Sequence, residues 1–238
     1  MCTLEKRGRV LILTLTGSGE HRLGPDLISS LRSLLATARS DPSAAALVTV
    51  GEGRFFSNGL DLAWAKNSSE GLSTLVRLLK PLIADLISLP MPTVAAVTGH
   101  AAAAGMMIAI AHDYVYMRGD RGVLYMSELD IGLPFPDYFM DLMQAKITDP
   151  RTLRDVTLRA KKITGTEAKE RGIVDKVCQS ASETVAEAVK MAEELAGRNW
   201  DKGVYASIRM SVYPKLCKSL EIPEESDEAV TKHFASRL

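Results

Sequence analysis

The sequence predicts an α/β core followed by a helical C-terminal part. Strand-like and helix-like segments alternate through about residue 135, and helices stand almost alone after it. Residues 93 to 113, TVAAVTGHAAAAGMMIAIAHD, pass from a β-branched, alanine-rich run through Thr98, Gly99 and His100 into Ala, Met and Ile. That order reads as a strand, a tight turn and a fully buried helix. The 238 residues suffice to bury a core, and no internal repeat or low-complexity linker divides them.

The N-terminal MCTLEKRGRVLILTL reads as a strand, because its apolar part is short and lacks the small-residue cleavage site of a signal peptide. Arg9 to Leu15 is the alternating portion, and GSGEHRLG, residues 17 to 24, is a turn-rich loop. Pro25 opens a helix in which Ile28, Leu31, Leu35 and Ala38 recur at helical spacing, and Asp41-Pro42 stops it. Ala45 to Val50 is the next strand, leading into the glycine-punctuated GEGRFFSNGLDLAW, residues 51 to 64. Leu72 to Leu89 is a helix that ends before Pro90. After the strand Thr93 to Val97 and the helix Ala101 to Ala111, Tyr114 to Met117 and Val123 to Met126 are extended around an RGDRG turn. SELDIGLPFPDYF, residues 127 to 139, is rich in Pro and aromatic residues. Asp149 and Pro150 open a helix to about Ala160, Thr166 caps a short one to Arg171, and Ile173 to Val177 is extended. Ser180 and Glu183 form a capping box for a helix that Gly197 stops, and the tail from Trp200 is helical with a break at Pro223.

Composition narrows the partners. The 29 Lys and Arg balance 29 Asp and Glu, so nothing points to nucleic acid or an anionic membrane as the principal partner. Cys2, Cys178 and Cys217 are odd in number and lack CxxC or His spacing, which supports neither a disulfide framework nor a zinc site and fits a reducing compartment. Residues 94 to 111 contain no Asp, Glu, Lys or Arg and have the length of a membrane span. Ala and Gly contribute little apolar area, however, and His100 interrupts the run, so a buried hairpin is expected instead. The final Ser236, Arg237 and Leu238 resemble the peroxisomal address SKL, so peroxisomal localisation through the import receptor is expected.

No GxGxxG follows a strand, and GxxxxGK[ST], HExxH and GxSxG are all missing. Dinucleotide, nucleotide, zincin and serine-hydrolase chemistry thereby lose their main support. Two strand-to-helix turns and one acid remain. The turns are Ser57-Asn58-Gly59-Leu60-Asp61 and His100 to Gly105, whose small residues permit close approach of a ligand and whose backbone N–H groups can receive developing negative charge. The acid is Glu128, flanked by Met126, Leu129, Ile131 and Leu133. Apolar neighbours raise a carboxyl pKa toward the range of a general base. A surface role for Glu128, paired with a lysine, is the competing reading.

These residues resemble the crotonase (enoyl-CoA hydratase/isomerase) superfamily. FFSNGLDL, residues 55 to 62, is similar to its FSAGADL-type loop, and PTVAAVTGHAAAAGMMIAIAHDYVYM to its P-x-[IV]-A-A-[IV]-x-G signature followed by small residues and Asp. SELDIGLPF resembles the catalytic-acid segment, and ITGTEAKERGIVDKV the later TG-x2-A-x3-G-[LI]-V-D-x-V pattern. The resemblance covers most of residues 9 to 178. It implies a crotonase-like ββα spiral core with an acyl-CoA site over residues 1 to 178, and a helical C-terminal region over residues 179 to 238 that mediates a homotrimer. No cofactor is implied, because coenzyme A is part of the substrate.

By the same resemblance, the thioester carbonyl accepts backbone N–H bonds from Leu60 and Ala104, each worth about 2.7 to 4 kcal/mol in acyl chemistry. Substrate contacts are expected from Arg22, Leu23, Ser57, Asn58, Gly59, Asp61, Leu62, Gly105, Met107 and Phe135. Asp61 also suits a helix N-cap and Arg22 a phosphate contact or plain solvation. Met107 stands where family hydratases carry the first of two glutamates, the second being at Glu128. A lone base that takes a proton from C2 of a 3-enoyl thioester and returns it at C4 needs no water. The departure therefore implies a Δ3,Δ2-enoyl-CoA isomerase, similar to the plant peroxisomal members. Asp137 stays open as the alternative base, and a hydratase or a non-catalytic acyl-CoA-binding member as alternative functions. His100 and His112 are expected to be structural, no carboxylate cluster suggests a metal, and the Met106, Met107, Met126, Met140 and Met143 set is expected in the core, partly along an acyl tunnel.

Overall fold

The computed structural model describes residues 1 to 17, 19 to 66 and 68 to 223. The N-terminal stretch is two strands where one was expected: β1 (Cys2–Arg7) and β2 (Val10–Leu15) form an antiparallel hairpin with Arg7 opposite Val10. Gly8 makes the turn, with φ of 59° that a side chain resists. α1 (Pro25–Ser40) follows with Pro25 at its start and Ile28, Leu31, Leu35 and Ala38 as its buried stripe, as its spacing predicts.

The chain then winds three times through the same pattern. β3 (Ala46–Gly51), β4 (Phe55–Ser57) and α2 (Ser69–Ile87) make the first turn, and β5 (Thr93–Val97), β6 (His100–Ala102) and α3 (Ala104–Ile110) the second. β7 (Tyr114–Arg118), β8 (Val123–Tyr125) and α4 (Asp137–Lys146) make the third. The first strand of each turn joins a six-stranded sheet, ordered β1-β2-β3-β5-β7-β10 and parallel from β2 onward, where β10 is Lys176–Cys178. The second joins a four-stranded sheet, ordered β4-β6-β8-β9, where β9 is Ile163–Thr164. This is the ββα spiral.

Both faces of the large sheet are covered, which is why β3 and β5 are apolar without alternation. Leu11, Leu13, Leu47, Ala95 and Val97 face the main core with α1 and α2. Val10, Ile12, Ala46, Val48, Val94 and Ala96 face the other way, against Ala188, Ala192 and Ala196 of α7 (Ala181–Ala196). Alanines on α7 let the helix lie close to the sheet, so the part after residue 178 begins as a layer of the core. α5 (Pro150–Leu158) and α6 (Gly165–Glu170) lie between β8 and β10 in sequence.

Several boundaries differ from expectation. The helix predicted from Ala101 gives its first residues to β6, because pairing with β4 and β8 outweighs the helix propensity of alanine. α4 continues as a helix past residue 139 on the buried stripe Tyr138, Phe139, Leu142 and Met143. Thr164, not Thr166, caps α6, its hydroxyl accepting from the Glu167 N–H. Ser180 caps α7 as expected, while the Glu183 carboxylate accepts from Gln179 N–H instead of closing the box on Ser180. The tail breaks first at Pro214, into α8 (Lys202–Val212) and α9 (Pro214–Ser219). Ser236 to Leu238 lie outside the described residues, none of whose helices is long and apolar enough to cross a membrane.

Asp113 ties α8 to the strand starts. Its Oδ2 accepts from Thr93 N–H at 2.8 Å, from Tyr205 OH at 3.2 Å and from Arg209 Nη2 at 2.5 Å. Arg209 also donates to the carbonyls of Leu89 at 2.7 Å and Met91 at 2.6 Å, and its side chain is 5 % exposed. Removing one partner of such a buried pair costs about 3 to 5 kcal/mol. Asp113→Asn is therefore expected to lower the urea midpoint by a corresponding amount; an unchanged midpoint would mean that the carbonyls alone hold Arg209.

Candidate active site

Two backbone turns and one carboxylate meet at a cleft of about 280 Å³ between the sheets and helices α2 and α4. The first turn leaves β4 at Ser57. Leu23 N–H donates to Gly59 O at 2.8 Å and Asp61 N–H to Leu23 O at 3.2 Å, a parallel bridge that leaves the Leu60 N–H on the side away from Leu23. Gly59 has φ of 78°, and a methyl built on it would lie 3.0 Å from Ala102 O and 3.4 Å from Ala104 N. The first turn thus abuts the second.

The second turn joins β6 to α3 through Ala103, whose φ of 50° and ψ of −124° are strained for any residue with a side chain. Its N–H donates to Tyr125 O at 2.8 Å, and its carbonyl accepts the first bond of α3, from Met107 N–H at 3.1 Å. The N–H groups of Ala104, Gly105 and Met106 precede that bond and have no partner within the helix. Gly105 lets the turns close, since a Cβ there would stand 2.2 Å from Ser57 O. Ser57 Oγ donates to His21 O at 2.8 Å and locks the first turn from behind.

Glu128 follows β8 on a bend closed by Ile131 N–H to Ser127 O at 3.2 Å and Leu133 N–H to Glu128 O at 2.9 Å. It is 7 % exposed, and its Oε2 has no hydrogen-bond partner among the described residues. Burial pushes its pKa up to about 7, against a weaker opposing effect of the Glu128 and Ser127 N–H groups. A buried carboxyl with one oxygen free of protein partners on the cleft wall is placed to exchange a proton with whatever occupies the cleft.

Of the positions expected from sequence, Arg22, Asn58, Leu60, Leu62 and Glu128 line the cleft. Ser57, Gly59, Ala104 and Gly105 are buried in the turns beneath its wall. Leu23 is wholly in the core, paired with Leu60. Met107 is also fully buried, away from the wall, and Phe135 is half-buried against the core. Asp61 Oδ1 accepts from Trp64 N–H at 3.0 Å and caps a turn. Asp137 is exposed in the first turn of α4 and lies off the cleft wall. At the mouth, Glu20 accepts from Arg22 Nη2 at 2.6 Å and from Asn58 Nδ2 at 2.9 Å, so one carboxylate orients both groups.

Sequence reasoning missed Leu72, Val76, Ala103, Tyr125, Ser127 and Phe139 on the wall. Leu72 and Val76 are one helical turn apart on the flank of the α2 core stripe, a signal that was available. Tyr125 and Ser127 alternate with the fully buried Leu124 and Met126, the period of an extended chain. Among the histidines, His112 is wholly buried between Ile108 O and Thr49 Oγ1, each at 2.8 Å, and burial lowers its pKa to about 4. His100 packs its ring against Phe55. Among the described residues, no group of three or more His, Cys, Asp or Glu is placed to hold a metal.

An apolar cleft with paired backbone donors and one carboxyl of raised pKa suits removal of a proton next to a carbonyl group. Comparison with known proteins leads to the same chemistry. Enoyl-CoA delta isomerase 3 of Arabidopsis thaliana is 51% identical over 93% of this chain and 96% of its own length. Enoyl-CoA delta isomerase 2, peroxisomal, of the same plant is 52% identical over 91% of this chain and 94% of its own. An apo enoyl-CoA isomerase of Mycobacterium tuberculosis shares the fold, with a TM-score of 0.84 at 24% identity over 92% of this chain and 94% of that one. Residues 9–235 match the profile described as enoyl-CoA hydratase/isomerase, and the chain belongs to that family.

Proposed function

We propose that this protein is a Δ3,Δ2-enoyl-CoA isomerase in which Glu128 is the single acid–base group. The carrying observation is the buried, unpartnered Glu128 Oε2 on the wall of an apolar cleft beside the turns that bear the Leu60 and Ala104 N–H groups. A 3-enoyl thioester enters with its carbonyl oxygen on those two donors and C2 toward Glu128. The carboxylate takes a proton from C2, and the electron pair passes into an enolate whose oxygen charge the two N–H groups stabilise. The protonated carboxyl then delivers the proton to C4 as the carbonyl reforms, leaving the double bond between C2 and C3. Leu60, Leu62, Leu72, Val76 and Phe139 keep water from the shuttle. Arg22 stands at the mouth, where a phosphate of coenzyme A would meet it, and no separate cofactor enters the scheme.

Hydration needs a second carboxylate to handle water. Glu128 is the one carboxylate lining the cleft among the described residues, and Met107 is buried in the core. That favours isomerisation over hydration. It also favours Glu128 over Asp137.

With trans-3-hexenoyl-CoA in deuterated water, 2-enoyl absorbance is expected to rise in the wild type. A positioned general base contributes roughly 100- to 10,000-fold, so Glu128→Gln should lose that much turnover while still binding the thioester in calorimetry. Asp137→Asn should leave turnover within a few fold. A 3-hydroxyacyl product would make the enzyme a hydratase, full activity in the Glu128 variant would remove its role, and binding without conversion by the wild type would make it a carrier.

Stability provides a separate readout. The Glu128 carboxyl titrates near 4.5 when unfolded and near 7 when folded, so the native state holds the proton more tightly between those values. Stability should fall as pH rises through that window, by on the order of 3 kcal/mol in all. Glu128→Gln should flatten this part of the profile in urea titrations at pH 4.5 to 8, and an unaltered slope would assign it to other groups.

A homotrimer is the assembly we favour, supported by the apolar face of α8, where Ile208 and Val212 are 60% and 61% exposed. Peroxisomal residence and the import receptor as a partner are supported by the names of two relatives, enoyl-CoA delta isomerases 2 and 1, both peroxisomal, of Arabidopsis thaliana. Sedimentation at three times 25.8 kDa is expected, as is punctate import of an N-terminal fluorescent fusion that is lost on deleting Leu238. A monomer, or import unchanged by the deletion, would contradict the respective part.

A further inference from the structure

The strained residue of the second turn adds a side chain to the cleft wall. Ala103 holds φ of 50° and ψ of −124°, a conformation that glycine enters freely and alanine does not. Its backbone is held at both ends, by Tyr125 O at 2.8 Å and by Met107 N–H at 3.1 Å. Pairing of Ala102 with Tyr125 and the start of α3 therefore impose the conformation, and the methyl group contributes nothing to it. A glycine would satisfy the same backbone without strain. What the methyl does add is bulk on the cleft wall, which Ala103 lines together with Leu60 and Glu128.

The placement of that bulk is specific. A Cβ built on Gly59 would stand 3.1 Å from the Ala103 Cβ, so the Ala103 methyl faces the bare Cα that precedes Leu60. Ala104 follows it directly. The methyl thus lies between the two residues whose N–H groups receive the carbonyl in the proposed reaction. In the proposed reaction, a thioester held by those two N–H groups would set its carbonyl carbon and C2 beside this methyl. The other side of C2 must offer a hydrogen to Glu128, so a substituent on C2 cannot be turned that way without displacing the reacting hydrogen.

We propose that Ala103 is a specificity-determining residue, whose methyl group excludes acyl thioesters branched at the carbon next to the carbonyl and admits those that are straight there. The inference rests on the acyl-CoA reading of the cleft. One extra methyl group in a tight pocket changes recognition by roughly 10- to 200-fold.

Saturated thioesters test this without turnover. Calorimetric titration of the full-length protein with butanoyl-CoA and 2-methylbutanoyl-CoA should show a preference for the straight chain of about tenfold or more, falling to within about threefold in Ala103→Gly. The variant should melt no lower than the wild type, because the strained position is relieved. An equal preference in both proteins, or a lower melting temperature that marks the methyl as packing for the turn, would overturn the inference while leaving the isomerase reading intact. If neither thioester binds either protein, the acyl-CoA reading fails together with it.

Discussion

The contact on which the site depends is the approach of Gly105 to the Ser57 carbonyl. A Cβ at residue 105 would stand 2.2 Å from that oxygen, so the two turns pack too closely for any side chain there. The closeness is built from the spiral: β4 and β6 are neighbours in the small sheet, and the turns that leave them are neighbours for the same reason. Each turn is then tied from outside, the first through Leu23 and His21, the second through Tyr125. In the proposed reaction, two N–H donors held this way would need no rearrangement as charge develops between them, which is what makes preorganised donors effective.

Glu128 is governed by the opposite principle. The turns are braced by backbone hydrogen bonds, whereas the Glu128 Oε2 has no partner among the described residues. Leaving a buried carboxyl unsatisfied is costly, and the cost appears as the upward shift of its pKa to about 7. A partner that relieved the cost would also lower the pKa and, in the proposed reaction, weaken Glu128 as a base. The apolar residues around it, Leu60, Leu133 and Phe139 among them, are thus part of the chemistry as much as of the packing.

Much of this was legible in the chain itself. β3 and β5 declare themselves by β-branched and alanine-rich runs without charge, α1 by its spacing and its proline, and Glu128 by a carboxylate set among Met126, Leu129, Ile131 and Leu133. What escaped notice depends on partners distant in sequence. Alanine at 101 and 102 favours a helix until β4 and β8 are alongside, and nothing local marks Ala103 as a residue with positive φ. Pro134 and Pro136 disguise the helix that starts at Asp137, and only pairing of the two flanking strands marks Gly8 as a turn. Met107 illustrates the reverse case: expected at the substrate, it is buried in the core and off the cleft wall.

The α7 layer has a consequence for how the chain is made. Val10, Ile12, Val48 and Val94 lie on a sheet face whose covering helix, Ala181–Ala196, comes more than eighty residues after the last of them. During synthesis those strands leave the ribosome long before their cover does. The interval between emergence of β5 and of α7 is therefore the period in which a nascent chain presents an open apolar sheet to chaperones and to other unfinished copies of itself.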